Sequence, residues 1–382
     1  MNLFRAESLL GDDPARSGGL PSSAVDADLQ FCPGALASPP DWLDRFPEAK
    51  QLAVVTSREV AGRFVPAALD ALKNAPVPVS VLWVPDGEKA KTLSVARRCY
   101  ERLLSMRFAR GDVLVSLGGG SVSDLAAFVA STWHRGTNVV HLPTTLLAQV
   151  DACIGGKTAI NLGTARNVVG TFHEPGLVVI DTRVLGTLSR RDFASGMAEV
   201  VKCGFIADPR ILGWVLDLTS RNDEWSAPEF EQCVRASLSV KARLVSGDRE
   251  DRAQRMLLNY GHTVGQAIES ASGLRLYRHG EAVGLGMIVA ARTAELLGLA
   301  RPGLTESTKH LLAALGLPLL VRGVSYADVA SRIGLDKKTV GGRPVFVVVT
   351  EPGSSEVVHM PHPTVLQDAF TELLLPGGEH HD

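Results

Sequence analysis

The chain has 382 residues, 39 Lys and Arg against 41 Asp and Glu, a formal net charge of −2, and 45% hydrophobic residues. That apolar share can bury a core and excludes a wholly disordered chain. The near balance of charge excludes a surface that binds nucleic acid or an anionic membrane globally, since both need a cationic excess.

Residues 1–48 are rich in Pro, Gly, Ser and Asp and read as an irregular N-terminal segment. From residue 49 short apolar runs recur: LAVVT (52–56), VSVLWV (79–84), DVLVSL (112–117), NVVHL (138–142) and GLVVID (176–181). Helix-like stretches such as 61–74 and 92–106 separate them. Strands that are apolar on both faces and alternate with helices indicate a parallel sheet covered on both sides. After about residue 186 helical periods dominate, at 227–245, 252–272, 281–297 and 304–315. Two late strand candidates, 344–350 and 357–360, are placed to pair. The fold class is therefore α/β plus α, with a Rossmann-like domain over 49–186 and a mainly helical domain over 187–382.

No apolar run is long enough to cross a membrane, and the N-terminus lacks the apolar centre of a signal peptide. Cys32, Cys99, Cys153, Cys203 and Cys233 contain no CxxC pair and are odd in number, which reads as reduced thiols in a cytoplasmic protein.

Four stretches carry chemistry. LVSLGGGSVSDLAAFVA (114–130) is strand, glycine turn and helix. Gly118, Gly119 and Gly120 permit positive φ and close approach of a phosphate, and Ser121 or Ser123 can cap the helix. A tight structural turn explains the glycines equally well. DGEKAKT (86–92) follows the second strand, and its acids suit ribose hydroxyls as well as they suit a solvated loop. In RMLLNYGHTVGQAIES (255–270), Arg255, Asn259, His262 and Gln266 are spaced 4, 3 and 4 and share one face of an otherwise apolar helix. A surface stripe on a helix with a wide apolar face is the alternative, but buried polar side chains cost kilocalories unless satisfied, so this face reads as the lining of a polar site. Gly261 and Gly265 would let a neighbouring helix come close. Glu199 in SGMAEVVKCGF joins His262 and His279 as a two-His, one-carboxylate set that suits Zn²⁺ with open positions. Finally, residues 144–170 place Asp151, Lys157, Asn161, Arg166 and Asn167 among glycines, as a phosphorylated substrate would need.

In order, DGEKAKT, GGGSVSD, HRGT, PTTLLAQVDACIGGKTAIN, RNVVG, AEVVK, LLNYGHTVG, HGEAVGLGM and the DKK ending at Lys338 resemble the 3-dehydroquinate synthase family of sugar phosphate cyclases. The resemblance covers most of residues 50–350. It implies an NAD-binding α/β domain, a helical metal domain, NAD⁺ with Zn²⁺ or Co²⁺, a place in the shikimate pathway, and a homodimer in which Arg135 reaches the neighbouring site. It implies Glu199, His262 and His279 as metal ligands. The implied cofactor contacts are Asp86, Glu88, Lys91, Gly119, Gly120, Ser121, Asp124, Thr144 and Thr145, with Lys157 and Arg166 nearby. The implied substrate contacts are Asp151, Lys157, Asn167, Lys202, Lys241, Arg255, Asn259 and a lysine of the pair Lys337 and Lys338.

The chain departs from the family at Gln266, where the pattern has a second His, and at Arg166, where Lys is common. Gln cannot shuttle a proton. Retention of Lys241, Arg255 and Asn259 favours a carboxylated heptulosonate 7-phosphate, or its amino analogue, over sedoheptulose 7-phosphate. A metal-dependent polyol dehydrogenase and a non-catalytic sugar-phosphate sensor are the competing classes.

Overall fold

The computed structural model describes residues 4–5, 28–163, 165–220, 228–248, 253–273, 275–333, 339–340 and 343–374. The chain forms two compact units: Leu20–Ser189, and Arg190–Asp382 together with Met1–Gly19. The first strand, β1 (Phe4–Arg5), belongs to the second of these.

The Leu20–Ser189 unit is built on β2 (Asp28–Phe31), β3 (Leu52–Ser57), β4 (Val79–Val84), β5 (Val113–Gly118), β6 (Asn138–Pro143) and β9 (Leu177–Ile180). They form one sheet in the order β2-β9-β6-β5-β3-β4, with every pairing parallel. Side chains alternate across the pleat. Ala53, Val55, Leu114 and Val139 meet α2 (Leu93–Ser105) and α3 (Gly120–Thr132) through Val95, Leu103, Leu125 and Val129. Leu52, Val54, Val113, Val115 and Val140 pack on the opposite face with Leu69 and Leu72 of α1 (Pro66–Lys73). Each such side chain withdrawn from water contributes about 1.5–3 kcal/mol. A hairpin of β7 (Lys157–Leu162) and β8 (Ala165–Phe172) packs against α3.

Three local expectations change. Residues 1–48 are not wholly irregular, because Asp28–Phe31 pairs with Leu177–Ile180 at the sheet edge. DLQF is too short to signal a strand by itself, and the neighbouring strand supplies the missing hydrogen bonds. The helix expected over 61–74 is split into a π turn, Val60–Phe64, and α1. Pro66 lacks the N–H that a continuing helix would need. The helix expected over 252–272 is also two pieces, described below.

The Arg190–Asp382 unit contains α4 (Arg190–Ile206), α5 (Arg210–Thr219), α6 (Pro228–Ser246), α7 (His262–Ala271), α8 (His279–Leu296), α9 (Leu304–Ala314), α10 (Tyr326–Ile333) and α11 (Pro363–Thr371). The antiparallel strands β10 (Thr339–Val340), β11 (Arg343–Glu351) and β12 (Ser354–His359) complete it, with β1 beside β12. Helix α8 is central: its residues 280–291 are all buried, and it packs against α4, α7, α9, α11 and β11.

Candidate metal centre and nucleotide turn

In the Leu20–Ser189 unit, the glycine turn follows the C-terminal end of β5, and Thr144 and Thr145 follow that of β6. Ligands of open α/β sheets bind past these strand ends. None of Gly118, Gly119 and Gly120 has positive φ, which corrects one of the two expected reasons for glycine there. Space is the reason. A Cβ on Gly118 would lie 2.8 Å from Val122 Cβ, one on Gly119 would lie 3.1 Å from Thr145 Cγ2, and one on Gly120 would lie 3.2 Å from Ala152 Cβ. Neither serine caps α3: Ser121 Oγ donates to Glu88 Oε1 at 3.0 Å, and Ser123 Oγ donates to the Gly119 carbonyl at 3.4 Å. Val122 and Ser123 N–H donate to the Gly119 carbonyl, and no side chain caps α3, so it is the amides ahead of Val122 that suit a pyrophosphate.

Glu88 is braced for recognition of polar groups. Asn161 Nδ2 donates to its Oε2 at 2.8 Å, and Arg166 lies 3.3 Å from the same oxygen. Burial opposes ionisation of Glu88, but Lys91, Arg166, Asn161 and Ser121 together outweigh it and hold its pKa below the usual carboxylate value. Lys91 is buried, 2.6 Å from Asp124 Oδ2, and also donates to Asn167 Oδ1. Asn167 sits at φ 54, and its N–H donates to Asn161 Oδ1 at 3.0 Å. Asn161 thus organises this cluster, although its sequence signal was only membership of a polar, glycine-rich loop. Asp86 is exposed ahead of the turn Gly87–Ala90. Asp151 is half-buried in the π turn Ala148–Ala152, and Lys157 is exposed at the start of β7. Arg135 is exposed at φ 64, next to His134 at φ 47.

In the Arg190–Asp382 unit, α4, α7 and α8 bring Glu199, His262 and His279 together, with one ligand atom from each lying within 4.8 Å of the others. Gly280 explains how α4 and α8 come so close: a Cβ there would collide with the Ser195 carbonyl. The Gly280 N–H donates to Ser195 Oγ at 2.9 Å, and Arg191 grips Glu281 with Nε at 2.6 Å and Nη2 at 2.8 Å. These contacts hold the start of α8, and with it His279, against α4.

Glu199 Oε1 faces His262 Nε2 and His279 Nε2, each at 3.5 Å, while Lys202 pairs with Glu199 Oε2. Two ligand atoms at 2.0–2.2 Å from a tetrahedral ion lie about 3.3–3.6 Å apart. The Glu199–His262 and Glu199–His279 pairs are therefore spaced as two ligands of one divalent ion are. Burial opposes ionisation of Glu199, but Lys202, His262 and His279 hold its carboxyl well below the usual range. Desolvation would lower His279, but the carboxylates of Glu199 and Glu269 raise it to about 10. The positive charge that this carboxylate pair attracts is one that a bound divalent ion would supply in place of the proton.

The single polar helix face expected from Arg255 to Gln266 is broken. Gln254–Asn259 is a 3₁₀ turn, and α7 starts only at His262. Gly261, at φ 77, makes the break. A Cβ there would sit 2.7 Å from the Val283 carbonyl oxygen and 2.9 Å from Met287 N of α8. Arg255 and Lys241 are buried, on the 3₁₀ turn and on α6, which pack together. Asn259 Nδ2 donates to the Met256 carbonyl at 2.9 Å. Gln266 is exposed one turn beyond His262. Lys337 and Lys338 lie outside the described residues. Sequence reasoning missed Glu269, buried two helical turns beyond His262 and 3.3 Å from His279 Nδ1. Its signal was that it continues the spacing of Arg255, Asn259, His262 and Gln266 by a further three residues.

Comparison with known proteins accords with this geometry. Residues 81–195 match the model of the 3-dehydroquinate synthase N-terminal domain, and residues 196–339 match that of its C-terminal domain. A 3-dehydroquinate synthase from Desulforamulus reducens is 41% identical over 317 residues, covering 83% of this chain and 88% of the relative. One from Streptococcus pneumoniae is 38% identical over 343 residues, covering 89% and 95%. A crystal structure of 2-deoxy-scyllo-inosose synthase, complexed with carbaglucose-6-phosphate, NAD⁺ and Co²⁺, superposes with TM-score 0.81 at 25% identity, covering 92% of this chain and 99% of that one. With both halves of the family pattern matched in order, the chain belongs to the 3-dehydroquinate synthase family.

Proposed function

We propose that this protein is a carbon–oxygen lyase that converts a carboxylated heptulosonate 7-phosphate into a carbocycle with release of phosphate, using NAD⁺ and a divalent metal that end the cycle unchanged. The observation that carries this reading is the convergence of buried Glu199 and His262 with half-buried His279, and with Lys202 beside Glu199, in a chain of this family. When bound, the metal supplies Lewis-acid polarisation of substrate oxygens, and NAD⁺ supplies reversible oxidation of a secondary alcohol.

The chain's own residues do the rest. The amides opening α3 hold the cofactor's pyrophosphate, and Glu88, kept ionised by its neighbours, accepts hydrogen bonds from ribose hydroxyls. Glu199 stays anionic as a ligand because Lys202 is paired to it. Lys202 also puts a fixed positive charge where negative charge develops on the substrate as the C–H beside the new ketone is lost. Arg255 and Lys241, buried in the same unit, suit the substrate carboxylate, and Arg255 offers a bidentate fork. The proton leaving carbon goes to the departing phosphate, so no side chain needs to act as a strong base.

A second reading, a cyclase of sedoheptulose 7-phosphate or a related sugar phosphate, is favoured by the likeness to 2-deoxy-scyllo-inosose synthase, whose bound carbaglucose-6-phosphate has no carboxylate. The test is to incubate the protein with NAD⁺, Zn²⁺ or Co²⁺ and each heptulose phosphate, following phosphate release and product mass. Phosphate release with a carbocyclic acid product and no accumulation of NADH is expected. Stoichiometric NADH would identify a polyol dehydrogenase. Binding without turnover would identify a sensor, and preference for sedoheptulose 7-phosphate would establish the second reading.

A further inference from the structure

We propose that Glu269 is a positioning residue of the metal centre: its carboxylate accepts a hydrogen bond from His279 Nδ1–H and so fixes the tautomer whose Nε2 lone pair faces Glu199. This deepens the function proposed above and rests on it. Glu269 is seven residues beyond His262 on α7, two turns along the same helix face. It is 7% exposed, whereas its helix neighbours Gln266 and Ser270 are exposed. A carboxylate is withdrawn from water at a cost of kilocalories unless a charged or donating partner meets it. Here Oε2 meets His279 Nδ1 at 3.3 Å, on the side of the ring opposite the Nε2 that lies 3.5 Å from Glu199 Oε1.

The two imidazoles are held differently. His262 Nδ1 lies 3.2 Å from the Tyr260 carbonyl, a neutral acceptor fixed by the chain turn at Gly261. His279 opens α8, is more exposed than His262, and has a carboxylate as its acceptor. A carboxylate behind a ligating imidazole orients the ring and makes it a stronger donor, and loss of such a partner typically weakens metal binding 10–100-fold. Glu269 thus compensates for the less enclosed of the two histidines.

The test compares the full-length wild type with E269A and E269Q. Zn²⁺ and Co²⁺ affinities are measured by chelator competition, and the visible absorption of bound Co²⁺ is recorded. E269A is expected to bind about 10–100-fold more weakly, with a shifted Co²⁺ band. E269Q keeps the shape and an acceptor oxygen but loses the charge, and should fall between the two. If E269A and E269Q hold Co²⁺ as tightly as the wild type with the same spectrum, the inference is overturned. If only E269A differs and E269Q matches the wild type throughout, the acceptor oxygen alone positions His279, and the inference stands with no part for the charge. If the wild type itself binds neither ion, the proposed function fails and this inference falls with it.

Discussion

At the scale of single residues, charge and enclosure separate the side chains expected to serve the candidate site. Arg255 is 3% exposed, and the guanidinium is the cation best matched to a carboxylate. Truncating it to alanine removes a charge-assisted contact of about 1.5–3 kcal/mol. Steady-state kinetics of Arg255→Ala should therefore show kcat/KM on the heptulosonate phosphate down by roughly one to two powers of ten. An unchanged value would mean that Arg255 does not meet the carboxylate. Gln266 invites the opposite expectation. It is exposed, one turn past His262, and cannot exchange a proton. If the phosphate leaving group takes the proton, Gln266→His should change kcat by less than about tenfold. General acid–base assistance is worth about 10²–10⁴-fold, so a hundredfold gain would show that a proton carrier is missing here.

At the scale of elements, backbone contact between helices builds the candidate metal centre. A Cβ on Gly286 of α8 would collide with the Gly261 carbonyl, and one on Gly265 of α7 would lie 2.8 Å from the Ala282 carbonyl oxygen. Those glycines let α7 and α8 approach until His262 and His279 stand with ring centroids 5.3 Å apart. Overpacking costs about 1–3 kcal/mol, and an obstacle made of backbone puts Gly286→Ala at the upper end of that range. Denaturant unfolding is the check. Gly213→Ala is the control: it is exposed in α5, nothing lies within 4 Å of its added Cβ, and it should be neutral or stabilising by about 0.5–1 kcal/mol. Equal effects of the two substitutions would contradict the close-approach account. The same crowding explains why the polar face was only half legible. The 4, 3, 4 spacing anticipated one helix, but the close approach that leaves no room for a Cβ at Gly261 involves residues more than twenty positions away on α8.

At the scale of the whole molecule, a buried imidazole in the sheet makes stability depend on pH. His141 on β6 is 3% exposed, with Nδ1 2.6 Å from Ser116 Oγ on β5. Burial, reinforced by His173, pushes its pKa down to about 3. In the unfolded chain the value is about 6.5, so between those two pH values the unfolded state binds a proton that the folded state refuses. The neutral side chain thus favours folding above about pH 6.5. That contribution is lost as pH falls towards 3, at about 1.4 kcal/mol per pH unit. Urea unfolding followed from pH 7 to pH 4 should show this slope reduced by about that amount in His141→Asn. A variant with the same slope as the wild type would show that the acid sensitivity lies elsewhere.

The sequence by itself determined the class of fold, because runs such as LAVVT and DVLVSL suit strands covered on both faces, and helical periods beyond residue 186 can bury their apolar stripes against one another. It also brought Glu199, His262 and His279 forward as a candidate metal set, which their spacing alone did not single out and the family resemblance supplied. The strand at Asp28–Phe31, the break at Gly261, the spatial reason for Gly118–Gly120, and the roles of Asn161 and Glu269 were decided only by tertiary structure. The physical reason is common to all five. Hydrophobic periodicity is a property of neighbours in the chain, whereas a ladder hydrogen bond, a missing Cβ or a carboxylate behind an imidazole is specified by a partner that only folding brings within reach.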